Sequence, residues 1–378
     1  MAPTKLFISL MVFSFVNLVM LGILYKLTRT VQNRGTIQTS SRKRLLILNW
    51  DKGRSSSEHG MEGGCEMTTN RSRLLEADAV IFSHRSISHK DMPWKYERKS
   101  SQVYIWSTRE APGIIQRPSV PNAYREFDGG FFNWTYTLRH DSDVINIKFY
   151  RGDVLKTVSK GKKAVDDVIA KKKKLAIWIV SSCAGIKGNI RRLEVAMELE
   201  KAGLDLEKFG DCFDADRALA KDANLYDVIS EYKFYLSFEN SLHCKDYITE
   251  KFWRNGLLSD AVPLVWGPSK DDLLSIAPLD SFVFVEDFAS SVDVVKYLKY
   301  LDSHDEEYRK LFRWREDATM TDEKMIEMTK SRYPHLTVFK KQNTNVCERL
   351  LDRKEPKVYE SFTDWFINDN PLECVGRQ

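Results

Sequence analysis

Residues 232–267 read YKFYLSFENSLHCKDYITEKFWRNGLLSDAVPLVWG. The run FYLSF (234–238) is largely apolar and aromatic and stops at Glu239; a charged loop, a helix-like stretch and a second apolar run, AVPLVWG (261–267), come after it. Apolar runs joined through a helical pattern read as parallel strands with a crossover helix, because strands buried on both faces lose the polar alternation of a half-exposed sheet. Open α/β sheets take their ligands at the carboxyl ends of their strands, so the charge packed into ENSLHCKD asks what it binds.

The spacing predicts a helix opening near Asp246, with that aspartate as N-cap. Tyr247, Glu250 and Lys251 then share one face of its first turns. A helix N-terminus beside a lysine suits an anion, and Glu250 suits the hydroxyls of a ribose. Composition alone also allows a helix whose charges are simply solvated.

Working outward, the same alternation recurs. LAIWIV (175–180) reads as a strand, NIRRLEVAMELEKAG (189–203) as an amphipathic helix closed by Gly203, SKDDLLSIA (269–277) as a helix and SFVFVEDF (281–288) as a strand. Upstream, Leu45–Trp50, Ala79–Phe82 and Val103–Trp106 are buried strands of another α/β lobe. This divides the chain into an N-terminal lobe over 45–158, a solvated lysine-rich linker over 159–174, a second lobe over 175–340 and a C-terminal tail over 341–378.

At the N-terminus, Leu6 to Tyr25 is twenty residues without a charge between Lys5 and Lys26, long enough to span a bilayer. The segment exceeds the apolar core of a signal peptide and lacks a small-x-small cleavage site, so a retained anchor is expected over 6–25, with residues 1–5 as its short end and a polar stem over 26–44. Positive charge stands on both sides of the anchor and does not orient it. The net charge of +5, from 58 basic and 53 acidic residues, suits an anionic small ligand but lacks the dense patch of a nucleic-acid binder. Asn70 and Asn133 head glycosylation triplets. Six cysteines, Cys65, Cys183, Cys212, Cys244, Cys347 and Cys374, permit three bridges or buried free thiols, with Cys183, Cys212 and Cys244 in the second lobe and the others placed to tie the first lobe to the C-terminus.

The 234–267 stretch resembles the donor-binding signature of the eukaryotic α1,3-fucosyltransferase family: Phe-Glu-Asn-Ser, then Asp-Tyr-Ile-Thr-Glu-Lys, then Val-Pro and a glycine, in that order. CEMTTNRSRLLEADAVIFSHR, VYIWSTREAP, FDGGFFNWTYTLRHDSDV and NIRRLEVAMELEKAGLDLEKFGDC resemble its other segments, so the resemblance spans about residues 45–340. It implies an α/β fold of GT-B type, two Rossmann-like lobes with the active site in the cleft, preceded by one transmembrane helix and a stem. It implies a single-pass type II Golgi membrane protein with a lumenal catalytic domain, GDP-fucose as donor and a glycan or glycoprotein as acceptor. No cofactor is implied as required, with stimulation by Mn or Mg left open.

Carried over residue by residue, Arg192, Tyr247, Glu250 and Lys251 match the positions that hold guanosine diphosphate, with Asn240 as a further contact. Glu110 matches the carboxylate of the family's Glu-Ser-Pro segment, although Ala111 stands where serine is usual, and is the expected base. His84, in FSHR, is an acceptor-side candidate or a hydrogen-bonded structural histidine. The Asp-x-Asp triplets at Asp141–Asp143 and Asp214–Asp216 have the form of a metal ligand pair and are read as structural. Three alternatives are a metal-dependent glycosyltransferase, a sulfotransferase, which lacks a glycine-rich phosphate loop here, and a non-catalytic glycan-binding relative.

Overall fold

The computed structural model describes residues 44–374 apart from 52–59, 86, 116–123, 147–150, 159–160, 184–186, 214–217, 221, 337–344, 354–355 and 372. By its contacts the chain divides into residues 1–44 and residues 45–378. Among the described residues no helix is long and apolar enough to cross a membrane. The expected anchor, the stem up to residue 43 and Asp214–Asp216 lie outside them.

Two sheets organise the 45–378 unit. The first has seven strands in the order β2-β3-β1-β4-β5-β6-β7, formed by β1 (Leu46–Asn49), β2 (Gly60–Glu62), β3 (Cys65–Thr68), β4 (Ala79–Ser83), β5 (Val103–Ser107), β6 (Trp134–Thr137) and β7 (Val144–Ile145). Only the β2–β3 pair is antiparallel. The second sheet is fully parallel, in the order β12-β11-β10-β8-β9, from β8 (Lys174–Ile179), β9 (Leu206–Phe209), β10 (Tyr232–Phe238), β11 (Val262–Trp266) and β12 (Val283–Phe284). Every residue of β10 is buried, which is why its sequence is apolar and aromatic apart from Lys233 and Ser237. It pairs with β11 from Phe234↔Val262 to Phe238↔Trp266, so both carboxyl ends open on the same edge.

The lysine-rich segment belongs to the second lobe. Its helix Gly161–Ala170 sends Val165 and Val168 into that lobe's core. Lys172 is not solvated: its ammonium donates to the carbonyls of Ser230 (2.8 Å) and Asp260 (2.6 Å), and burial pulls its pKa down to about 7. The segment 281–288 forms only a two-residue strand before a 3-10 turn at Val285–Asp287.

Residues 341–378 do not hang off the fold. Helix Val346–Leu351 packs under the first sheet, and Tyr359, Phe362, Phe366 and Ile367 complete the aromatic core around Trp106 on its other face. Phe362 and Phe366 meet the Trp106 ring edge-on at 4.6 and 4.3 Å. The cysteines form three bridges, Cys65–Cys347, Cys183–Cys212 and Cys244–Cys374. Cys374 therefore ties the C-terminal segment to the second lobe, whereas Cys347 ties it to the first.

Candidate active site

Strand β5 ends at Ser107 and β10 at Phe238, and the loops beyond them face each other across a cavity of about 380 Å³. The first lobe supplies Arg109, Glu110, Leu138 and Asn146; the second supplies Asn240 and most of the run from Tyr247 to Arg254. Of the expected residues, Glu110, Asn240, Tyr247, Glu250 and Lys251 all line it.

The loop after β10 is built by close backbone approach. A β-carbon on Gly188 would lie 2.1 Å from the Asn240 carbonyl, and one on Gly267, at φ +113°, would lie 2.9 Å from the Glu239 side chain. Only glycine lets the start of helix Lys187–Lys201 and the end of β11 reach that loop. Asp246 does not cap a helix: it sits at φ +56°, its amide donates to Asp272 Oδ2, and its carboxylate accepts from the backbone N–H of His140 in the first lobe and pairs with that ring's Nδ1. The helical turn begins at Glu250 and runs as a π-helix over Lys251–Gly256. Tyr247 thus joins Glu250 and Lys251 on the cavity wall through the loop's fold rather than through helical spacing.

Tyr247 connects the two sides. Its hydroxyl donates to Asn240 Oδ1 at 2.8 Å and lies 3.5 Å from Glu110 Oε2. Burial, reinforced by Glu239, Glu110 and Glu250, raises its pKa well above that of free tyrosine, so the phenol keeps its proton. Glu110 also receives Arg85 at 3.0 Å, and its backbone N–H donates to Thr108 Oγ1. His84 is half-buried with Nδ1 2.9 Å from that same Thr108 hydroxyl, so it acts on the Glu110 loop through Thr108 and is absent from the cavity wall.

Lys251 is held by Glu239, a carboxylate only 1% exposed that the motif's spacing does not single out. Glu239 Oε1 accepts from the Thr249 amide and hydroxyl (2.8 and 2.7 Å), and Oε2 accepts from the Lys251 ammonium at 2.9 Å. Burial disfavours the Lys251 charge, but Glu239 and then Glu250 outweigh it and raise the pKa. Burial likewise works against ionised Glu250, and Lys251 beside it holds its pKa below the usual carboxylate range. A burial signal was available: Glu239 directly follows the apolar and aromatic end of a buried strand and stands twelve residues before a lysine.

Arg192 lies elsewhere. It is 2% exposed, donates to the carbonyls of Phe238 (3.2 Å) and Ser182, and does not line the cavity. Burial lowers its pKa, against the opposing pull of Glu239. The Asp141 carboxylate is taken by Arg139 and Trp365 and that of Asp143 by Lys357, Tyr359 and Thr135, so the triplet is spent on internal bonds. Among the described residues no group of acidic, histidine or cysteine side chains is arranged for a metal ion. Asn70 is exposed and caps a 3-10 turn through Ser72, whereas the Asn133 amide bridges the Tyr104 N–H and the Lys357 carbonyl.

The chain matches two family models, glycosyltransferase family 10 (fucosyltransferase) C-term over residues 169–365 and fucosyltransferase N-terminal over residues 40–148. It is 31% identical to rat alpha-(1,3)-fucosyltransferase 7 over 332 residues, covering 85% of this chain and 79% of that one. It is 36% identical to mouse 4-galactosyl-N-acetylglucosaminide 3-alpha-L-fucosyltransferase 9 over 309 residues, covering 81% and 75%. A solved α1,3-fucosyltransferase with GDP-fucose aligns at 15% identity and a TM-score of 0.47 over 79% of this chain and 93% of that one.

Proposed function

Because the chain belongs to glycosyltransferase family 10, the fucosyltransferases, we propose that this cavity binds GDP-fucose and that Glu110 is the base of an inverting α1,3-transfer. The observation that carries the reading is the meeting of Glu110, from the first lobe, with Tyr247 and Asn240, from the second, on one wall. In the step, an N-acetylglucosamine hydroxyl attacks the anomeric carbon of fucose, its proton passes to the Glu110 carboxylate, and the sugar–phosphate bond breaks to release GDP. Inversion requires that base on the face opposite the departing nucleotide, which suits a carboxylate on one lobe and a nucleotide on the other.

On the nucleotide side, Glu250 offers its carboxylate to ribose hydroxyls, and the Tyr247 phenol, its proton committed to Asn240, offers its oxygen as an acceptor to a sugar hydroxyl. The loops that follow β5 and β10, at the carboxyl ends of parallel strands in two different sheets, line one cavity, which suits a GT-B arrangement. The names of the relatives favour a lactosamine-type acceptor, and the apolar run at Leu6–Tyr25 favours a type II Golgi membrane protein with this unit in the lumen. No metal ion is assigned a role, since Asp141 and Asp143 are held by other side chains.

The test is transfer of labelled fucose by the full chain to a lactosamine and to a core N-glycan, with and without chelator. Glu110→Gln should lose at least about a hundredfold in kcat while still binding GDP. Folded wild-type protein that binds GDP yet transfers to neither acceptor would sink the assignment, and transfer abolished by chelator would revive the metal-dependent alternative.

A further inference from the structure

Lys251 and Arg192, the expected cations of the donor site, are already engaged, as are Arg254 and Arg85 near them. The three protons of the Lys251 ammonium face Thr249 Oγ1 at 2.8 Å, Glu239 Oε2 at 2.9 Å and Glu250 Oε1 at 3.3 Å. Arg192 is buried against two carbonyls and off the wall. Arg254 gives its Nε proton to Asn255 Oδ1, and Arg85 is paired with Glu110. A diphosphate brings negative charge into the cavity, and the leaving nucleotide gains more as the sugar–phosphate bond breaks, so a cation whose hydrogen-bond donors are still open to the phosphate oxygens is needed nearby.

Arg109 meets that need. It lines the cavity, is exposed, and among the described residues has neither an ion pair nor a hydrogen bond. Its backbone is well anchored between Thr108, whose hydroxyl is fixed by His84 and by the Glu110 N–H, and Glu110 itself, with Ala111 1% exposed beyond. A guanidinium sprung from this point presents a planar fork that fits two oxygens of a phosphate or a carboxylate. It stands next to Glu110, the proposed base, so an acceptor held for proton transfer comes close to it.

Resting on the fucosyl-transfer reading, we propose that Arg109 is a substrate-binding residue that takes up a two-oxygen anion in this cavity, either a phosphate of the nucleotide donor or the carboxylate of a charged acceptor. The experiment compares wild type, Arg109→Leu and Arg109→Lys for GDP binding by calorimetry and for KM and kcat on a neutral lactosamine and its sialylated form. A phosphate contact appears as GDP binding weakened at least about tenfold in Arg109→Leu, with partial recovery in Arg109→Lys, which keeps the charge but loses the fork. A carboxylate contact appears as unchanged GDP binding with the sialylated acceptor's KM raised at least about tenfold and the neutral one's unmoved. GDP binding and both acceptor KM values within about twofold of wild type would overturn the inference. Wild-type protein that is folded and fails to bind GDP would instead bring down the donor reading itself.

Discussion

Replacing Glu239 by glutamine tests whether one buried carboxylate organises the Lys251 side of the cavity. The glutamine carbonyl still accepts the Thr249 amide and hydroxyl, whose bonds to Oε1 measure 2.8 and 2.7 Å, but the new amide group then points its protons at the Lys251 ammonium, which now bonds Oε2 at 2.9 Å. A hydrogen bond to a charged group contributes about 1.5–3 kcal/mol, and removing one partner of a buried ion pair costs about 3–5 kcal/mol. Glu250 remains 3.3 Å from the ammonium and Lys251 borders the cavity, which places the cost at the lower end, about 3 kcal/mol. Urea unfolding followed by tryptophan fluorescence should show it, and Glu239→Gln with Lys251→Met should recover part of the loss because no stranded charge remains. A change below about 1 kcal/mol, or a double variant no more stable than the single one, would refute the view that Glu239 acts by neutralising Lys251.

Three further outcomes rest on the same geometry. The His243 ring lies between Glu286 (3.1 Å) and Glu373 (2.8 Å); the Glu286 bond leads in raising its pKa to about 9, against burial, with Glu373 adding to it. A folded pKa above the unfolded value of about 6.5 means this stabilisation is complete below about pH 6.5 and lost as pH rises through about 9, so thermal midpoints should fall across that window by an amount worth about 1–2 kcal/mol after solvent screening, and His243→Gln should flatten the slope. The Cys244–Cys374 bridge packs with Ala111 and Tyr247, so Cys374→Ser should cost about 2–4 kcal/mol of stability and weaken GDP binding severalfold; unchanged binding would show that the bridge does not steady the loop. Thr108→Val removes the hydroxyl that meets both His84 and the Glu110 N–H, and it should lower kcat severalfold with KM for GDP-fucose unmoved, as steady-state kinetics would show.

How much of the fold and site was legible depended on how local each cause is. The strands at β1, β4, β5, β8, β10 and β11 were readable because burial on both faces writes apolarity into consecutive residues. The misplaced helix start at Asp246 had a physical reason: aspartate is a good cap in isolation, but here its carboxylate is claimed by His140, more than a hundred residues upstream, and its backbone turns left-handed. Lys172 sits in a run that reads as a solvated face, yet it satisfies two carbonyls at the amino edge of the second sheet that no local pattern announces. Residues 341–378 look like a mixed tail because Phe362 and Phe366 are buried against Trp106 of the first sheet, a partner more than two hundred residues upstream.

By itself, then, the order of residues marked the strands of two α/β sheets and the charged loop at the end of β10, and the resemblance carried by its motif order pointed to Glu110, Asn240, Tyr247, Glu250 and Lys251, since strand burial, turn chemistry and motif order are all local along the chain. Tertiary structure alone decided that Glu239 neutralises Lys251, that Arg192 stays behind the cavity, that Arg109 stands on its wall, and which cysteines pair. Those outcomes turn on which charges lose water together and which partners the two sheets bring within a few ångströms, and such distances come into existence only when the lobes close on each other.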